Sequence, residues 1–344
     1  MSEVSLEPRD TFADWAHVRS TLVFEGDDRR EPMLTIAIPT FRRGDLLCEA
    51  VESAAGQVFH RPIEIIVVDN DPNSDNAARL LERFPHLRGM NFRYYVNPEN
   101  IGMFGNWNRC IELGRGEWHS LLNDDDLLAP RFAAEMFAIL DAHREIEGMI
   151  CRKRPFGDGA PAAGQADGRG RRLVKRLWTE LRFRGRGERH FGADKFFWGS
   201  PVGNTVGMIA RKQDLIDIGG YRPEDYPSAD HLMMTRFAMR HRFAEARATL
   251  ASIRIEENES ARPDVLKGFI ERNQALRRAM AGTVVPAWWT KRFSALTVAR
   301  HRAVLARYFG ARISDAELQQ LSGMSVVKDR KWAYLLACGL LGGL

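Results

Sequence analysis

A unit repeated along the first third of the chain constrains the fold more than anything else: an apolar run, a polar loop, then a helical pattern. Residues 34–39, 63–68 and 92–96 are rich in β-branched and aromatic side chains, the composition of buried strands. The second run is almost continuously apolar, as in parallel strands covered on both faces. Helical patterns follow each run. Leu46, Leu47, Ala50, Val51 and Ala54 share one face of the first, with Asp45 placed to cap it. Leu80, Leu81 and Phe84 mark the second, and residues 103–113 form the third. A fourth apolar run, 118–122, ends in Asn123-Asp124-Asp125-Asp126 ahead of a helix opening at Pro130. Short connections between such units predict an α/β domain with a mostly parallel central sheet flanked by helices. Ligands then bind outside the carboxyl ends of the strands. Asp69, Asp71 and Asp124 to Asp126 all fall on that edge.

Adjacent carboxylates at a strand end repel one another unless a cation or a donor-rich ligand compensates them. One reading of Asp124 to Asp126 is a capping acid with two solvated neighbours. The other is a seat for Mg²⁺ or Mn²⁺ carrying a diphosphate, since these ions take one or two carboxylates plus phosphate oxygens. The first strand–helix turn, Thr40-Phe41-Arg42-Arg43-Gly44, holds a single glycine. That excludes the glycine-rich loops of dinucleotide-binding dehydrogenases and P-loop NTPases.

The apolar and charged fractions, 44% and 28%, are those of a soluble globular protein. Cys48, Cys110, Cys151 and Cys338 have no ligand spacing, which fits a reducing, cytoplasmic setting. The first ten residues are polar, unlike a signal peptide. The net charge of +5 is uneven: residues 151–190 carry 12 Arg/Lys against 4 Asp/Glu. Residues 155–170 read as a flexible loop and 173–183 as a basic helix. This segment is either a solvated loop or a contact for an anionic acceptor or membrane surface. It has no recognisable nucleic-acid motif, so no nucleic-acid partner is expected.

In order and spacing, residues 36–43, 67–75, 97–102 and 121–126 resemble successive blocks of the family 2 inverting glycosyltransferases of the GT-A fold. The resemblance covers about residues 33–260. It implies that Pro39, Thr40, Phe41 and Arg43 line the base and ribose pocket of a nucleotide sugar, with a UDP-sugar as the expected donor. It implies that Asp69 accepts a hydrogen bond from the base, and that Asp71, Asn100, Gly102 and Asn106 add to the donor site. The family's D-x-D falls on Asn123-Asp124-Asp125, with Asn123 in place of the first acid. Asp125 would ligate Mn²⁺ or Mg²⁺, and Asp124 would face the ribose or diphosphate. Further on, Gly219-Gly220-Tyr221 and Ala229-Asp230 resemble the acceptor-side block, where a Glu-Asp pair is usual. Asp230 is then the general base. Taken alone, it reads equally as a helix cap or first-turn acid. After Arg254 the family often carries a histidine, and this chain has Glu256.

The resulting organisation is an N-terminal extension (1–31, with a short amphipathic helix over 14–24), a GT-A domain (32–260) and a helical C-terminal region (261–344). Within the GT-A domain the donor half is 32–150, the basic insertion 151–190 and the acceptor half 191–260. Ser314 is placed to cap a helix over 315–321. Trp288 and Trp289 are core or an interfacial wedge. The tail after Lys328 suits peripheral contact with the inner face of the cytoplasmic membrane, an oligomer helix or a packed helix. The expected activity is transfer of a sugar to a saccharide or lipid-linked acceptor in cell-surface polysaccharide or glycolipid synthesis. Two rivals remain. A sugar nucleotidyltransferase needs a glycine-rich basic loop that residues 40–45 do not supply. A non-catalytic nucleotide-sugar-binding or scaffold protein would explain Asn123, Ala229 and Glu256.

Overall fold

A computed structural model describes residues 3–159, 180, 182–255 and 262–338. In chain order its strands and helices begin with β1 (Thr21–Glu25), β2 (Leu34–Thr40), α1 (Gly44–Ala55), β3 (Ile63–Asp69), α2 (Asn76–Arg83), β4 (Phe92–Val96) and α3 (Gly102–Leu113). Next come β5 (Trp118–Leu121), β6 (Leu127–Leu128), α4 (Phe132–Ala142), β7 (Gly148–Phe156), β8 (Glu188–His190), β9 (Met208–Arg211), α5 (Lys212–Asp217), α6 (Ala229–Arg240) and β10 (Phe243–Arg254). Four helices follow: α7 (Pro263–Met280), α8 (Ala287–Phe309), α9 (Asp315–Ser322) and α10 (Lys331–Ala337).

The strands form one sheet in the order β1-β4-β3-β2-β5-β9-β7-β10-β6, with β8 also pairing β10. β4, β3, β2, β5, β7 and β10 run the same way, and β1, β9, β6 and β8 oppose them. The two-residue period of a strand sends alternate side chains to opposite faces. Ile66 and Val68 of β3 pack toward α3, α5 and α6, beside Ile111, Leu215, Leu232 and Met233. Ile65 and Val67 pack toward α1 and α4, beside Leu47, Val51, Phe132 and Met136. A third cluster, with Leu266, Val298, Leu305 and Leu318, joins α7, α8 and α9.

Several local expectations change. Residues 14–24 are not a helix: Ala13–Trp15 is a single 3₁₀ turn, and β1 adds to β4 as an antiparallel edge strand. The extension is tied down. Val4, Leu6 and Val18 are buried, and Arg222 and Arg236 donate to the Ser5 carbonyl. Asp45 does not cap α1; it is exposed and pairs with Arg79 at 2.7 Å. Ser314 does cap α9, in a reciprocal capping box with Glu317. The segment after Cys151 starts on β7, and part of its charge is spent internally, since Arg182 and Arg189 both reach Glu245 at 2.7 Å. Most of the loop and helix expected over 155–183, and Glu256, lie outside the described residues. Trp289 is core, packed on Phe197 and Trp198, while Trp288 is half exposed.

Candidate active site

The register fixes what stands on the carboxyl edge. Thr40 of β2 is opposite Asp69 of β3, which is opposite Val96 of β4. Leu121 of β5 is opposite Ala37, so the turn from Asn123 to Asp126 emerges beside Thr40. β9 runs the other way, so its beginning lies on this edge and brings Thr205 to it. β7 and β10 end there with Phe156 opposite Arg254.

The three acids of the cluster are not equivalent. Asp124 is buried and accepts a hydrogen bond from the Thr40 hydroxyl at 2.7 Å. Burial pushes its carboxyl up to about 6, opposed by that hydroxyl and by Arg43. Asp126 turns inward to accept from the Asn123 amide at 3.0 Å and the Arg254 backbone N–H at 2.9 Å. Burial, with Asp125 beside it, pushes Asp126 up to about 7. Asp125 points outward, 22% exposed, and pairs with the Arg43 guanidinium at 2.7 Å. Arg43 is aimed there by a turn in which Arg42 takes the left-handed conformation (φ 59°), a strained state for a residue with a Cβ. The turn also sends Arg42 to Asp71 at 2.9 Å and stacks it on exposed Phe41.

The donor atoms on the outer side, from Asp124 and Asp125, are carboxylate oxygens alone, the set preferred by Mg²⁺ and Mn²⁺. Asp124 and Asp125 stand side by side, with Arg43 as their shared cationic partner at 3.5 and 2.7 Å. The residues therefore fit such an ion. Asn123 bonds back to Asp126 and closes the turn, so its substitution for an acid leaves Asp124 and Asp125 in place.

The expected base-side residues split into two groups. Asp69 is fully buried, with both oxygens engaged by the Tyr94 hydroxyl (2.5 Å), the Asn76 amide (3.2 Å) and the Asp71 N–H (3.0 Å). Replacement by alanine orphans those donors, so it carries a folding cost as well as any loss of donor binding. Asn106 is also internal: it donates to the Val68 carbonyl and accepts from Asn97, which in turn donates to Asn70. Asn100 accepts from Asn70 and from the Gly102 N–H. Gly102 opens α3 at φ 73°, the conformation glycine reaches without strain. Pro39 is buried in β2. The side chains open to a ligand are thus Phe41, Arg43, Asp71 and Asp125, on a rigid asparagine-bonded base.

Asp230 lies in the first turn of α6 but does not cap it; Ser228 is the N-cap residue. Its Oδ1 accepts from the Thr205 hydroxyl at 2.7 Å, and Thr205 accepts from the Tyr221 hydroxyl at 3.1 Å. Burial raises the Asp230 carboxyl, offset by Thr205 and by the nearby Lys153 ammonium. Lys153 stands beside Asp230 and is a residue that the sequence pattern does not single out. On β7, it donates to the carbonyls of Val202 (2.8 Å) and Asn204, and burial lowers its ammonium to about 8. It thereby clamps the loop that presents Thr205 to Asp230, with Asp126 and Asp230 both favouring its charge. Lys153→Met is expected to lower the melting temperature by loosening this loop. Charge-assisted hydrogen bonds contribute about 1.5–3 kcal/mol each. A parental melting temperature in that variant removes Lys153 from this clamp.

This is the fold of the GT-A glycosyltransferases. Residues 35–201, just under half of the chain, match the family model described as Glycosyl transferase family 2. Among solved structures, S. aureus TarS 1-349 in complex with UDP-GlcNAc is 15% identical, with TM-score 0.56 over 80% of this chain and 74% of that one. The mannosyltransferase PcManGT from Pyrobaculum calidifontis, in complex with GDP-Man and Mn²⁺, is 17% identical, with TM-score 0.55 over 96% of this chain and 85% of that one. A curated relative, the GalNAc(5)-diNAcBac-PP-undecaprenol beta-1,3-glucosyltransferase of Campylobacter jejuni, is 34% identical over 98 residues, 28% of this chain and 31% of that protein. The chain spans 40%, 14% and 17% of the length of three further curated relatives.

Proposed function

We propose that the protein transfers a sugar from a nucleoside-diphosphate sugar to an acceptor hydroxyl with inversion at the anomeric carbon. The observation that carries this reading is one edge holding two halves: Thr40, Arg43, Asp124 and Asp125 on one side, and Asp230, held by Thr205, on the other. Arg43 is free to trade its Asp125 contact for a phosphate, which its fork of donors suits. Phe41 and Asp71 flank the place where a base and ribose would lie. Asp230 takes the proton of the acceptor hydroxyl as that oxygen attacks, and its raised affinity for a proton favours the role. The Tyr221–Thr205 hydrogen-bond chain holds the carboxylate in one rotamer. Mn²⁺ or Mg²⁺ on Asp125, when bound, would supply Lewis-acid stabilisation of the departing diphosphate.

The acceptor we favour is a saccharide or lipid-linked saccharide of cell-surface synthesis, met at the membrane surface. Trp332 (81% exposed) and Leu336 (63% exposed) lie one helical turn apart on α10, next to Lys328, Arg330 and Lys331. Tyr334 points the other way and donates to the Trp198 carbonyl. An exposed aromatic and aliphatic pair rimmed by cations suits an anionic bilayer. No helix among the described residues is long and apolar enough to cross a membrane.

Titration of UDP and GDP with and without Mn²⁺ tests the donor half. Binding of at least one nucleotide is expected to strengthen tenfold or more with the ion; ion-independent binding, or none, contradicts it. The effect should depend on pH with a definite sign. Asp124 and Asp126 have folded values near 6 and 7, above the unfolded 3.8. They therefore take stability away as pH rises from about 4 to 7. A cation that needs the ionised acids returns it. Thermal melts should show a larger Mn²⁺-induced rise at pH 7.5 than at pH 5; equal rises would place the ion elsewhere.

A further inference from the structure

A second group of potential ligands lies at the other end of β10, away from the carboxyl edge. Glu188 and His190 are two residues apart on β8, so their side chains leave the same face of the strand. They pair with Ala246 and Ala244, near the start of β10, whereas Arg254 at its end touches the Asp125–Asp126 turn. At about 3.3 Å per residue, the eight steps from Ala246 to Arg254 separate the two places by roughly 25 Å. His143, at the end of α4, completes the group.

One ligand atom from each of His143, Glu188 and His190 lies within 4.8 Å of the others. His143 uses its two nitrogens differently. Nε2 faces the nearly buried Glu188 carboxylate at 3.5 Å, and Nδ1 faces Glu145 at 3.5 Å. With Nδ1 oriented by Glu145, Nε2 and the Glu188 carboxylate face a common point where a cation could bind both. A metal-binding histidine whose other nitrogen is oriented by a carboxylate is the usual arrangement around zinc. His190 is exposed, and a rotation of its ring would bring the three ligand atoms toward the roughly 3.3 Å spacing of a tetrahedral site with bonds of about 2.0–2.1 Å.

The other histidine–carboxylate group among the described residues differs. There a single imidazole nitrogen, His241 Nδ1, faces two acids, Glu147 and Asp214, each at 3.6 Å. Around Glu188 two imidazoles converge on a single acid. Imidazole ligands select zinc-like ions over Mg²⁺, unlike the all-oxygen set at Asp124 and Asp125.

We propose that His143, Glu188 and His190 form a structural zinc-class metal site, separate from the donor edge. A metal there ties the end of α4 to β8, and so clips the chain across the whole basic segment between residues 143 and 190. Closing so long a loop through one bond set favours the folded state.

The test is titration of untagged protein with zinc in excess Mg²⁺, followed by cobalt(II) substitution. The wild type should bind a zinc ion that the His143→Ala/His190→Ala double variant binds at least tenfold more weakly. Zinc should raise the melting temperature of the wild type alone, and cobalt should give it the visible absorption of a tetrahedral site. Both proteins should bind nucleotide equally in Mg²⁺, which keeps this result apart from the donor site. The proposal is overturned if the folded double variant binds zinc as tightly as the parent, or if the wild type binds none. If the double variant does not fold, Glu188→Gln provides the same comparison at nearly constant shape.

Discussion

Asp230→Asn is expected to lower sugar transfer by about 10²–10⁴-fold, the usual contribution of a positioned acid or base. The substitution keeps the oxygen that accepts from the Thr205 hydroxyl, so the Tyr221–Thr205 chain and the start of α6 stay in place. What it removes is a carboxylate whose proton affinity burial has raised. Nucleotide and Mn²⁺ binding should remain within about twofold of wild type. The loss should therefore appear in kcat and in kcat/KM alike. Since Ser228 is the N-cap residue, a helix-capping role cannot account for such a loss. Parental turnover in Asp230→Asn would move the base elsewhere.

Asp125→Ala is expected to abolish measurable transfer and the Mn²⁺-dependent part of nucleotide binding. The fold should survive. Asp125 is partly exposed, and its side chain pairs with Arg43. Pairs of that kind contribute roughly 0–1 kcal/mol. By contrast Asp126, bonded to Asn123 and to the β10 backbone, holds the sheet end together. Asp126→Ala should therefore lower the melting temperature more than Asp125→Ala does. The reverse order of stability would exchange the roles given to the two acids.

The arrangement of strands β2 to β5 was legible in the sequence because they obey one local rule. Each is a short apolar run followed by a polar turn, and the parallel arrangement puts every turn on one edge. The rest of the sheet was legible only in part. β9 runs against its neighbours, so Thr205 reaches the edge from the strand's beginning, which no strand–loop–helix pattern announces. Lys153 was hidden among the charges of 151–190, because a count of basic residues does not separate one half-buried on β7 from those in solvent. β10 alternates weakly and carries Glu245 and Arg247 within it, so its pairing with β7, β6 and β8 was unread. The assignment of Asp69 and Asn106 to ligand contact followed the resemblance. In the structure both are buried and hydrogen-bonded within the edge, a placement that depends on packing and not on position in a motif.

The most direct test of the central claim is release of nucleoside diphosphate from a panel of UDP- and GDP-sugars, with Mn²⁺ or Mg²⁺ present and then chelated. At least one sugar nucleotide should be turned over in the presence of the ion. The release should stop on chelation and be lost in both Asp125→Ala and Asp230→Asn. Tight ion-dependent binding of a sugar nucleotide with no release from it, in the presence of saccharide and lipid-linked acceptors, would contradict the transferase and leave a binding protein in its place.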